Sequence, residues 1–91
     1  MLNPPKPKES AEILALQALS WLAGDEGGLA RFLAASGSDL ESLKAGAGSP
    51  DTARALLEFL LGNEDLLLAF CETTSIKPQA VHAALFHLDG A

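Results

Sequence analysis

Two twelve-residue segments of this chain match each other at a shift of 38 positions, and that match constrains the fold more than any other feature. The first is WLAGDEGGLARF, Trp21 to Phe32; the second is FLLGNEDLLLAF, Phe59 to Phe70. Trp21 aligns with Phe59, Leu22 with Leu60, Gly24 with Gly62 and Asp25 with Asn63. Glu26 meets Glu64, Leu29 meets Leu67, Phe32 meets Phe70, and the alignment continues to Leu43 and Val81. Each matched position has a physical role. An aromatic residue anchors the end of one helix, and a glycine stops it. A short polar side chain then caps the next helix, and a carboxylate complements the dipole in its first turn. The chain reads as two helix–corner–helix–helix units, roughly 10–45 and 49–89.

The residues between these corners support helices throughout. Leu and Ala supply most of the apolar content, Val and Ile are scarce, and Tyr is absent. Unbranched side chains lose little rotamer freedom in a helix, and strand formers are too few to build a sheet. Ninety-one residues suffice for one core. The expected fold is all-α: a compact bundle of five or six short helices, with the Phe59–Phe70 hairpin at its centre. Residues 1–9, rich in Pro and Lys, are expected to form a flexible tail, and residues 10–91 a single helical domain.

Taken in order, Ser10 is the expected N-cap of a first helix that ends at Gly24. Leu14, Ala18, Trp21 and Leu22 form its buried stripe, Ile13 and Leu16 widen it, and Leu19 turns toward a second side. Asp25 caps the next helix, where Gly27 and Gly28 predict a soft start, Leu29, Phe32 and Leu33 face inward, and Gly37 ends the element. Ser38-Asp39-Leu40-Glu41 fits a capping box for a short helix to about Ala45, with Leu40 and Leu43 inward. Ser49, Pro50 and Asp51 give a strong start signal for a helix carrying Ala53, Leu56, Leu57, Leu60 and Leu61. Gly62 closes it and Asn63 caps the following helix. There Leu66, Leu67, Leu68, Phe70 and Cys71 leave so little polar surface that other helices should surround it. Pro78 opens the last helix, with Val81, Ala84, Leu85 and Leu88 as its stripe.

Charge and motif content bear on function mostly by exclusion. The net charge of −6 and six scattered basic residues disfavour nucleic acid and anionic membrane surfaces, both of which need clustered Lys and Arg. A DNA-recognition helix would need basic and amide side chains, and the last helix offers only Lys77, Gln79 and His82. No apolar run approaches the roughly 18 residues of a transmembrane helix, so no membrane insertion is expected. The first residues lack the apolar core of a signal peptide, and the lone Cys71 suits a reducing compartment. The expected location is the cytoplasm.

Candidate chemistry is sparse. Asp25, Glu26, Glu64 and Asp65 sit at helix N-termini, which favour the charged carboxylate, whereas an acid–base pair needs one raised pKa. His82 and His87 are five apart, so they diverge on a helix, and zinc motifs use spacings of three or four. Cys71 could form a nucleophile pair with a histidine only through tertiary proximity, and a cysteine in an apolar helix is usually inert core. Trp21, Phe32, Phe59, Phe70 and Phe86 fall at core positions of separate helices. No catalytic, cofactor or metal site is expected.

The early WLAGDE corner, the Gly/Pro break around Gly46–Pro50 and the later FLLGNEDLLLAF segment together resemble a small bacterial domain-of-unknown-function family, number 3572. The resemblance spans most of the chain after the N-terminal tail. It implies a compact helical protein and brings no activity or catalytic residues to carry over. The leading expectation is a non-enzymatic protein-interaction module that binds an unidentified protein partner, self-association to a homodimer being one form of this. The alternatives are a small carrier of an apolar ligand or lipid, and an enzyme using Cys71 and a histidine.

Overall fold

The computed structural model describes residues 6–25, 27–46 and 48–89. Six helices and no strands occur among the described residues: α1 Pro7–Gly24, α2 Gly28–Ser36, α3 Leu40–Ala45, α4 Pro50–Leu61, α5 Glu64–Thr74 and α6 Pro78–Asp89. The fold is an all-α bundle. The 38-residue shift carries Leu40, the first residue of α3, onto Pro78, the first of α6, so the elements correspond in order.

Helix starts follow local chemistry, with corrections. Ser49 Oγ accepts from the Thr52 amide at 3.2 Å, as a serine cap before Pro50 should. Ser10 is not a cap: Pro7 takes the first helical position, and the Ser10 amide already donates to Lys6 O at 2.9 Å. A proline that needs no amide partner and has φ already set begins a helix as well as a hydroxyl cap does. Of the proposed tail, residues 1–5 lie outside the described residues, as do Glu26, Ala47 and the last two residues. The cap of α3 is Asp39, not Ser38, and its Oδ1 accepts from the Ser42 amide at 2.8 Å. Gly37, at φ 70°, ends α2 in the left-handed conformation that glycine adopts without strain.

The N-cap of α2 is Gly27, which has no side chain to cap with, and not Asp25; from two residues earlier Asp25 Oδ2 still accepts from the amide of Gly28, the first residue of the helix, at 2.9 Å. Asn63 behaves differently. It stands at the N-cap position of α5, but its side chain makes no cap bond there. Instead Nδ2 donates backward to Phe59 O at 2.8 Å, satisfying a carbonyl in the last turn of α4.

One apolar cluster runs through the molecule, with Leu22, Leu56, Leu57, Leu60, Phe70 and Val81 wholly buried and no polar side chain in it. Helices α1, α4 and α6 pack most extensively on one another and form the centre. The α4–α5 hairpin is therefore central only through α4. α5 buries Leu66, Leu67, Phe70 and Cys71 but exposes Leu68, so it is a one-sided outer helix, not a surrounded one. The short α3 adds Leu43 to the cluster.

The two units meet crosswise. Trp21 of the first packs edge-on against Phe70 of the second at 5.7 Å between ring centroids, and Phe59 of the second against Phe32 of the first at 5.3 Å. Because Trp21 corresponds to Phe59 and Phe32 to Phe70, the two contacts are equivalents under the 38-residue shift. The correspondence fails at the third helix, where six residues of α3 stand against twelve of α6. α6 alone reaches across to α1 and α4.

Candidate functional site

α1 is apolar on two sides, and only one is buried. Ala11, Leu14, Ala15, Ala18 and Leu22 face the core. At 3.6 residues per turn, Glu9, Glu12, Ile13, Leu16, Leu19, Ser20 and Ala23 lie within about 60° of Leu16 on the opposite side. Ile13 and Leu16, expected to widen the buried stripe, are 50% and 45% exposed. The 3.6-residue period cannot place both stripes of one helix against a single core.

Leu40, also expected to face inward, is 43% exposed. It stands beside this face. Leu19 and Ala23 of α1, Leu29 of α2, and Leu40, Leu43 and Lys44 of α3 line an open, almost wholly apolar cleft of about 280 Å³. Lys44 is the only charged side chain in it. The outward surface of α1 thus runs from a charged N-terminal end, where Lys6 and Lys8 flank Glu9 and Glu12, over Ile13 and Leu16. A second, larger groove of about 380 Å³ lies between the start of α1 and α6, where Ala11, Leu14, Ile76, Ala80 and Ala84 meet the more polar Ser10 and His87.

Elsewhere the sequence candidates stay apart. Cys71 is buried on α5, and burial pushes its thiol up from its ordinary value. His82 and His87 are exposed on α6. Among the described residues, no three His, Cys, Asp or Glu side chains gather into a group that could hold a metal ion. Phe86, expected in the core, is 71% exposed and touches only the edge of His87 among the aromatic rings. The acidic corners do structural work. Arg31 on α2 donates from Nη1 to Asp65 Oδ2 at 2.9 Å and from Nη2 to Asn63 Oδ1 at 2.8 Å, tying α2 to the second corner. That hydrogen bond from Arg31 holds the Asp65 carboxyl below its usual range. Nothing in the local sequence around Arg31 signals this pairing, which depends on where α2 and α5 pack.

A family model described as "Protein of unknown function (DUF3572)" matches residues 8–91. The chain belongs to this family. The match begins inside the first turn of α1 and takes in every helix, so both corners and the outward face of α1 belong to the DUF3572 domain. No curated protein and no solved structure matches the chain significantly. The DUF3572 description assigns no activity, so any functional reading rests on the surface just described. No helix among the described residues is long and apolar enough to cross a membrane.

Proposed function

We propose that this DUF3572 domain is a non-enzymatic protein-interaction module that docks its partner on the outward face of α1 and the adjoining cleft. The observation that carries this reading is that Ile13 and Leu16, two of the five large exposed apolar side chains among the described residues, share the outward face of α1, while a third, Leu40, lines the cleft with Leu19 and Ala23 of the same helix. Scattered exposed apolar residues are ordinary, whereas a contiguous apolar patch rimmed by charge is characteristic of interaction sites. The acidic balance supports a protein partner over a nucleic acid, and the single free thiol supports the cytoplasm as the compartment.

Photo-cross-linking in cells tests it. A cross-linker at Leu16 should trap a discrete adduct, while one at Glu72, exposed on α5, should not. No adduct from Leu16 would overturn the proposal.

A second reading has one observation in its favour: the cleft at Leu19, Leu29 and Leu43 could take a small apolar ligand. Its volume lies just under the roughly 300–1,000 Å³ of typical ligand sites. Native mass spectrometry of the purified protein, showing co-purifying ligand, would favour it. An enzyme built on Cys71 would need a reactive thiolate. The burial of Cys71 supports the opposite, so it should resist alkylation in the folded protein.

A further inference from the structure

We infer that α3 is a lid: it lifts from the bundle while the other helices stay folded, and its lifting joins the two clefts beside it into one apolar trough. This stands apart from the docking reading, because it concerns how α3 is held and not what binds α1. α3 is attached through one side chain. Of its six residues only Leu43 is buried, at 5% exposure, while Leu40, Glu41, Ser42, Lys44 and Ala45 are exposed. Among the described residues, no hydrogen bond or ion pair joins α3 to another helix. The Asp39 cap and the backbone bonds from Leu43 and Gly46 all stay within its own segment.

Leu43 itself has open space on two sides. It lines the cleft of about 280 Å³ with Leu19, Leu29 and Leu40, and it lines a second cleft, of about 230 Å³, with Phe32, Thr52 and Ala55. The one side chain that seats α3 is a wedge between these spaces, and a side chain beside a void forgoes the dispersion contacts that a filled core would give it. The ends of the segment are fixed. Before α3, the amides of Gly37 and Ser38 both donate to Leu33 O at the end of α2; after it, Gly46 O accepts from the Ser49 amide at 2.9 Å, beside the start of α4. A glycine at each end permits the backbone rotation that lifting needs. A six-residue helix does not persist alone in water, so α3 melts as it lifts. Withdrawing Leu43 removes the partition between the clefts and leaves Leu19, Leu29 and Phe32 along one trough. The centre stays closed, because α1, α4 and α6 pack on one another without α3.

Native-state amide hydrogen exchange on the full chain, followed by NMR at rising urea below the unfolding transition, tests this. The amides of Leu43 and Gly46 are bonded to Asp39 O and Ser42 O. Relative to the unstructured peptide, they should exchange about 100-fold or more faster than those of Leu57 and Leu60 in α4. Their rates should be flat in urea, since lifting α3 exposes little surface, whereas the α4 rates should rise. Leu43→Ala should speed the α3 amides by about tenfold or more. Val81→Ala, in the wholly buried core on α6, should speed the α4 amides by about tenfold and leave the α3 amides within about twofold. Equal protection in α3 and α4, a shared rise with urea, or α3 amides that follow Val81→Ala would show that α3 opens only with the whole molecule, and would overturn the inference. Exchange of the parent's α3 amides at the unstructured-peptide rate would overturn it too, since α3 would then never close. The urea dependence of the parent decides between these results even where a variant does not fold.

Discussion

Gly28 shows how a residue that looks like a defect in the sequence becomes a requirement of the packing. Two glycines at a helix start predict softness, and Gly27 fits that view, since a Cβ there would meet open space. Gly28 is buried, and a Cβ would come within 2.8 Å of both Leu22 Cδ2 and Asp25 Oδ2. Gly28→Ala should therefore destabilise the domain by about 1–2 kcal/mol, overpacking outweighing the better helix propensity of alanine. Gly27→Ala should leave stability unchanged or slightly higher, and urea titrations of the pair separate the two positions. The Arg31–Asp65 contact makes a second residue-scale prediction. Asp65 is held low by the Arg31 hydrogen bond and Asp39 by the Ser42 amide. A carboxylate with a depressed folded pKa contributes its stability above the unfolded value, and loses it as pH falls through the folded one. Asp65→Asn should be less stable than the parent near neutrality, and the difference should shrink as the pH falls below the unfolded value and through the lower folded one.

At the scale of elements, the crosswise aromatic contacts join the two units, and they are testable as pairs. Phe70→Ala should cost about 3–5 kcal/mol, because Phe70 is wholly buried beneath Trp21. A double-mutant cycle on Trp21 and Phe70 should show a coupling of about 0.5–1.5 kcal/mol, and a coupling near zero would mean that the two rings are independent. Much at this scale was legible in the sequence. Ser49-Pro50 names its helix start because cap and proline chemistry are local, and the stripes of α4 and α6 are buried as their spacing requires, apart from the half-buried Leu61 and Leu85 at their edges. Asn63 makes no cap bond because its Oδ1, the atom a cap would use, accepts from Arg31 Nη2 while its Nδ2 donates to the Phe59 carbonyl one turn earlier. Leu68 and Phe86 face outward for a different reason. Periodicity records which residues are apolar, and the number of neighbouring helices decides how many apolar faces can be covered.

For the whole molecule, that count of neighbours explains the candidate site. Each unit has a long helix, a corner and a second helix, but α6 is twice the length of α3 and takes the central place beside α1 and α4. The six-residue α3 buries only Leu43, and Ile13 and Leu16 remain at the surface on the side of α1 away from the core. The sequence carried the information as an apolar pattern too wide for one face. It could not assign the surplus to solvent without knowing where α3 ends relative to α1. The unequal third helices thus produce both the bundle's core and its open face. That open face is the proposed docking surface, and photo-cross-linking in cells from Leu16, set against Phe86 on α6 as a second exposed apolar position, is its direct check. The expected result is a discrete protein adduct from position 16 and none from position 86. An adduct from position 86 with none from position 16 would overturn the assignment of the surface.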